Sequence, residues 1–74
     1  MEKLVISEGE RAIVIEIKGD MEFRKYLLAN GISLGTVITK NYSPYYTKLI
    51  NFTVGGKMLS LRSTDFQCID LIKI

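Results

Sequence analysis

The 74-residue chain has no histidine, no tryptophan, one cysteine and one proline. Without histidine it lacks the side chain that most often transfers protons or binds metals near neutral pH. The single cysteine, Cys68, cannot form an intramolecular disulfide and has no histidine to activate it as a nucleophile. It is therefore expected to be a small residue of the core. Small secreted domains usually carry several disulfides, so the sequence favours a cytoplasmic protein.

The chain also lacks long apolar runs and a strong charge of either sign. No apolar stretch approaches the ~20 residues that a membrane helix requires. The run Leu4-Val5-Ile6 is too short for the core of a signal peptide. The net charge is only +2 and the basic residues are scattered, which argues against a dedicated nucleic-acid surface. The length suits one small domain, with no repeat or linker inside it.

Catalytic and ligand-binding patterns are absent as well. The carboxylates form no pair or cluster typical of acid–base catalysis or metal binding; they are Glu2, Glu8, Glu10, Glu16, Asp20, Glu22, Asp65 and Asp70. Gly31 and Gly35 lack the Lys-Ser/Thr pair of a phosphate loop and follow a helical pattern rather than a strand. The sequence therefore predicts a protein that is not an enzyme and has no catalytic residues, metal or cofactor.

One stretch has a strong helical pattern, and the rest of the chain is arranged around it. Asp20 can cap the helix by accepting hydrogen bonds from the backbone N–H groups of the first turn. Phe23, Leu27 and Asn30 fall on one stripe, which predicts a face packed on a sheet. Gly31 supplies the left-handed residue that commonly ends a helix.

Alternating apolar residues predict about five main strands. They are Arg11–Lys18, Gly35–Tyr42, Lys48–Val54, Lys57–Arg62 and Cys68–Ile74, after a short strand or extended segment at Lys3–Ile6. In the first main strand Ile13, Ile15 and Ile17 share one side, which predicts that this face is fully buried. The inward residues of the next hairpin are expected to be Ile50, Phe52, Val54, Leu59 and Leu61.

Turn residues complete the prediction of a small barrel. Gly55-Gly56 is expected to form a two-residue hairpin turn with positive φ at both positions. Ser63 to Asp65 should cap a single helical turn at Thr64–Gln67, with Asp65 as a capping residue. The final strand can pair with an early one, which would remove the exposed edges of the sheet.

The surface offers one aromatic cluster. Tyr42, Tyr45 and Tyr46 lie within five residues around Pro44, and tyrosines are enriched at protein interfaces. Met58, on the outward side of the hairpin, extends this cluster. Arg24, on the helix, is a candidate for a charged contact at the rim. These five residues are the predicted protein-binding surface.

A family-like pattern covers nearly the whole chain. It consists of Gly9-Glu10, Ile13–Ile17, Gly19-Asp20, Arg24 with Leu27–Val37, and Val54–Arg62 followed by Asp65 and Ile69. This pattern resembles the ferrous iron transport protein A (FeoA) family. The resemblance implies a cytoplasmic SH3-like barrel with one inserted helix and a helical turn before the last strand. It implies an accessory role in ferrous iron uptake, through direct binding to the cytosolic G-protein domain of the membrane transporter. In the loop Ser43–Lys48, aromatic residues replace the acidic turn that is common in the family.

Other functions remain open at this point. One alternative is a stand-alone SH3-like domain that binds peptides or effectors, related to the C-terminal domain of metal-dependent transcriptional repressors. A second is a nucleic-acid-binding barrel that stacks bases on tyrosines, which the weak net charge disfavours. The tyrosine-rich loop could also pair with its own copy in a homo-oligomer.

Overall fold

The structure, a computed structural model, describes residues 6–44 and 47–74. Within them the chain forms five strands and two helices. These are β1 (Arg11–Ile17), α1 (Met21–Ala29), β2 (Val37–Lys40), β3 (Leu49–Val54), β4 (Lys57–Arg62), α2 (Ser63–Phe66) and β5 (Ile69–Lys73). Of the predicted segment Lys3–Ile6, only Ile6 is described, and it is buried. The rest lies outside the described residues.

The strands form one antiparallel sheet in the order β4-β3-β2-β1-β5. The predicted mostly-β architecture is confirmed, and the last strand pairs with the first main strand as expected. The prediction that this pairing removes the sheet edges is wrong for the described residues. In the observed order β4 and β5 are the outer strands, and the short helix α2 connects them.

The core combines inward residues of the strands with Leu27 of α1. Its buried residues are Ile6, Ala12, Val14, Leu27, Ile32, Ile38, Phe52, Val54, Leu61, Ile69 and Leu71. Phe52 is fully buried, and its ring centroid lies 5.8 Å from that of Phe66. The predicted inward faces of β3 and β4 are confirmed, because Ile50 and Leu59 pack against this cluster as partly buried residues.

The predicted buried face of β1 is wrong. Ala12 and Val14 are buried, whereas Ile15 is 48% exposed. Val14 lies opposite the buried Leu71, and the pairing with β5 shifts between Val14 and Glu16. This bulge shifts the alternation along β1 by one residue. Beyond it Ile17 packs against the core, on the same side as Val14. Both sides of β1 are apolar, and hydrophobicity alone therefore does not select the buried side.

The capped helix is confirmed. The carboxylate of Asp20 accepts a hydrogen bond from the backbone N–H of Phe23 at 2.8 Å. Asp20 is the N-cap, and α1 begins at Met21. Leu27 is fully buried and Phe23 packs against the core. Asn30 caps the C-terminus, where its side-chain amide donates to the carbonyl of Tyr26 at 2.8 Å. The predicted stripe therefore faces the sheet.

The glycine turn is confirmed, since Gly55 and Gly56 have φ values of 55° and 81°. The second helix is found, but its predicted cap is wrong. Its N-cap is Arg62, and no side chain caps the helix there. The Asp65 carboxylate instead accepts a hydrogen bond from the Arg62 guanidinium at 2.9 Å. Asp65 therefore forms an ion pair with Arg62, the last residue of β4, and makes no capping bond.

Cys68 also departs from its predicted place in the core. It lies between α2 and β5, is half-buried, and does not belong to the buried cluster. The last strand begins one residue later than predicted, at Ile69. The alternation along β5 places Ile69 and Leu71 inward. Cys68 lies before the strand and takes no part in this alternation.

Glu10 gives the chain a specific acid sensitivity. Its carboxylate pairs with the Lys73 ammonium and accepts a hydrogen bond from the backbone N–H of Ser7 at 2.6 Å. These contacts, that of Lys73 above all, lower the pKa of Glu10 below its ordinary value. The folded chain then binds protons at Glu10 less readily than the unfolded chain, so stability rises with pH.

We expect this contribution to be complete above the ordinary glutamate pKa and to be lost as the pH falls through the lowered one. Glu10→Gln should therefore show a smaller loss of stability between neutral and acid pH than the wild type. Urea unfolding at a series of pH values measures this. Glu8→Gln is the matched control, because Glu8 is exposed and joins no ion pair among the described residues. Equal acid sensitivity in the Glu10 variant and the wild type would contradict the assignment.

Candidate protein-binding site

Tyr42, the first residue of the predicted aromatic cluster, lies just beyond β2 and is 63% exposed. Its backbone carbonyl accepts a hydrogen bond from the Asn51 side-chain amide at 3.0 Å. The next residue, Ser43, accepts one from the backbone N–H of Asn51 at 2.8 Å. The backbone at Tyr42 is thus anchored to β3 while its ring remains accessible. Tyr45 and Tyr46 lie outside the described residues.

Met58 lies near the start of β4, opposite Thr53 of β3, and is 69% exposed. Side-chain hydrogen bonds join the neighbouring strands: Asn41 donates to Thr53 at 2.8 Å, and Ser60 donates to Asn51. This network holds the ends of β2, β3 and β4 together. It links the backbone at Tyr42 to the strand pair that carries Met58.

Arg24 lies in a different place, in a groove between α1, the end of β1 and the segment that follows α1. The groove has a volume of about 320 Å³ and is lined by Glu16, Ile17, Arg24, Leu28, Ile32, Ser33 and Leu34. Neither Tyr42 nor Met58 lines it. The structure therefore separates Arg24 from the two described members of the predicted cluster.

Backbone hydrogen bonds fix the wall of this groove. After α1, the N–H of Ile32 donates to the carbonyl of Leu27 at 2.9 Å. The N–H of Gly35 donates to the carbonyl of Val14 at 2.7 Å, which ties the segment to β1. Ile32 is buried, whereas Leu28 and Leu34 are each 66% exposed. The groove is therefore held in shape by the fold, and its apolar walls are accessible.

The sequence prediction missed an apolar surface on the outer face of the sheet. Ile13 lies opposite Val37 of β2 and Ile72 of β5, so the three residues form a row across three strands. Val37 is 41% exposed, Ile72 54%, and Ile15 further along β1 48%. The isoleucine alternation in β1 is the sequence signal for this surface, although the alternation by itself predicts a buried face.

The charges near these surfaces are few. The described residues form three ion pairs, which are Lys18–Asp70, Arg62–Asp65 and Lys73–Glu10. Glu16 and Arg24 join none of them. The same residues contain no group of three or more acidic or sulfur side chains that could hold a metal ion. They also contain no helix with the length and apolar character needed to cross a membrane. The accessible chemistry is apolar contact, with one free charge of each sign at the groove.

A five-stranded antiparallel sheet, with one helix after β1 and a helical turn before β5, defines a small domain of the SH3-like class. The sequence narrows this class to one family. The chain belongs to the FeoA domain family, whose model matches residues 5–72. No curated protein matches the sequence.

Solved structures agree with the predicted fold. An iron uptake regulatory protein (FeoA) is 23% identical and superposes with a TM-score of 0.81, covering 93% of this chain and 89% of that one. Iron(II) transport protein A from Clostridium thermocellum is 17% identical, with a TM-score of 0.87 over 93% of this chain and 43% of that one.

A manganese-dependent transcriptional repressor in complex with manganese is 21% identical, with a TM-score of 0.85 over 93% of this chain. The chain spans only 34% of that repressor. At these identities the three similarities show a shared fold, and they confirm the predicted SH3-like barrel.

Proposed function

We propose that this chain is a cytoplasmic accessory protein of ferrous iron uptake that binds and regulates the membrane ferrous iron transporter. The docking site on the transporter is its cytosolic G-protein domain. The observation that carries the proposal is the family match over residues 5–72. An exposed surface of apolar and aromatic side chains, without a metal-binding cluster in the described part of the chain, supports binding to a protein rather than catalysis or metal carriage.

Tyr42, Tyr45, Tyr46 and Met58 form the proposed contact surface, with Arg24 as a charged contact from the helix. Tyr42 and Met58 satisfy the first requirement of such a role, because both are more than 60% exposed on a backbone held by hydrogen bonds. An anchored backbone reduces the entropy that is lost when the exposed side chain is immobilised on a partner. Tyrosine is also among the residues that most often dominate interface energies.

Titration of this chain with the full-length transporter, and with its isolated G domain, tests the proposal. Tyr42→Ala and Met58→Ala are each expected to raise the Kd about five- to tenfold, or about 1–1.4 kcal/mol. Met21→Ala is the matched control for Met58→Ala. Met21 is also a methionine and is 70% exposed, but it lies at the start of α1 rather than on the sheet. Its substitution should leave the Kd unchanged.

Two results would contradict the proposal. One is no binding to either form of the transporter at high micromolar concentration. The other is an equal loss of affinity in the Met21 and Met58 variants, because this would place the contact elsewhere or reflect a general defect. GTP turnover and iron uptake, measured with and without this chain, then report whether binding regulates the transporter.

The repressor-related alternative is supported by the fold shared with about a third of the manganese-dependent repressor. It predicts that extended or proline-rich peptides bind near Tyr42 and that the transporter does not. Titrating such peptides against the same tyrosine variant separates the two functions.

A further inference from the structure

The groove beside α1 contains an acidic residue as well as Arg24, the charged residue of the proposed transporter contact. Glu16, at the end of β1, and Arg24, on α1, both line it and are both exposed. In the described part of the chain, neither forms an ion pair or a side-chain hydrogen bond. The same groove is lined by aliphatic side chains, of which Leu28 and Leu34 are each 66% exposed. The groove therefore combines an apolar surface with one unpaired acid and one unpaired base.

A surface with this pattern is complementary to itself. In a twofold dimer the same patch is used on both subunits, so residue i of one contacts residue j of the other and the reverse. Arg24 of one copy would meet Glu16 of the other, twice across the axis. Leu28 and Leu34 would be covered by the same residues of the second copy. We propose that this groove is a self-association surface and that its occupant is a second copy of this chain.

The size of the groove sets the strength of the association. Seven residues line it, whereas a standard interface uses about 20–30 residues on each side. The dimer is therefore weak and reversible, with a Kd on the order of 100 µM. The two ion pairs fix the register of the copies more than they add affinity, since exposed ion pairs contribute little. Added salt should weaken the dimer.

Sedimentation analysis from about 10 µM to 1 mM tests this proposal, with a range that brackets the expected Kd. The wild type should shift from monomer towards dimer as its concentration rises. Arg24→Glu and Glu16→Arg should each raise the dimer Kd at least tenfold, because each places like charges opposite one another. The double variant exchanges the two charges and should restore association to within about threefold of the wild type. Lys25→Glu is the matched control: Lys25 is the exposed neighbour of Arg24 on α1, lies outside the groove, and should have no effect.

A wild type that remains monomeric at 1 mM would overturn the proposal and leave the groove to a different protein. Dimerisation that is unaffected by the single variants, or not restored by the double variant, would overturn it too and would direct attention to the outer face of the sheet. Leu34→Ser provides a second test and should also raise the dimer Kd. Leu34 is exposed, so its replacement should not unfold the domain. All measurements use this chain alone, so their outcome is separate from that of transporter binding.

Discussion

Replacing Phe52 by alanine is expected to lower the free energy of unfolding by about 3–5 kcal/mol. Phe52 is fully buried in β3 and contacts the ring of Phe66 in α2. Its removal takes apolar surface out of the core and leaves a cavity that the rigid sheet cannot close. A chain of 74 residues has a total stability of about 4–11 kcal/mol. We therefore expect the variant to be largely unfolded or close to it, as measured by urea denaturation followed by circular dichroism.

Met58→Ala is the control for this experiment. Met58 lies on the adjacent strand but is 69% exposed, so its truncation should change stability by no more than about 0.5 kcal/mol. Phe52→Leu keeps most of the volume and should cost less than the alanine variant. A loss below about 1 kcal/mol in Phe52→Ala would contradict the position of Phe52 at the centre of the core.

The elements that depend on short-range signals could be predicted from the sequence. Asp20 caps α1 through a bond to a residue three positions away, and Gly55-Gly56 forms a turn within two residues. In β3 and β4 one face is much more apolar than the other, so the alternation also identifies the buried side. These signals involve residues close together in the sequence, and each of them indicates a single local structure.

The orientation of β1 could not be predicted in the same way. Ala12 and Val14 alternate with Ile13 and Ile15, so both faces are apolar. The choice depends on pairing with β5, more than fifty residues away, and on the bulge between Val14 and Glu16. The alternation of Ile13, Ile15 and Ile17 predicts that the isoleucines are the buried residues. The structure instead buries Ala12 and Val14, and it leaves Ile13 half-buried and Ile15 exposed.

The surface at Tyr42 could be predicted from a local signal, whereas the groove at Arg24 could not. Tyr42 is exposed in a loop, and loop position alone suggested this. The groove at Arg24 requires the end of β1, the outer side of α1 and the segment after it to meet, and no sequence pattern marks that meeting. Arg24 was selected from the sequence, whereas Glu16 gained a possible role only when the fold placed it beside the same groove.

Gly19 immediately precedes the Asp20 cap of α1, and Gly19→Ala is expected to lower the free energy of unfolding by about 2–3 kcal/mol. Its φ of +109° is a conformation that alanine rarely adopts, and a Cβ there would lie 2.9 Å from Cδ2 of Phe23. Phe23 packs against the core, so its ring cannot move away without losing contacts. Because Gly19 directly precedes the Asp20 cap, a change of the backbone at position 19 or a shift of the Phe23 ring would also displace the start of α1.

Gly9→Ala separates the two causes. Gly9 has a φ of +84°, but no atom lies within 4 Å of the position that its Cβ would take. This variant should therefore lose only the backbone term, about 1–2 kcal/mol. The difference between the two unfolding free energies, measured in urea, then reports the steric conflict with Phe23. Equal losses would mean that the Phe23 ring moves away at no cost in free energy, and that glycine is required at position 19 only for its backbone conformation.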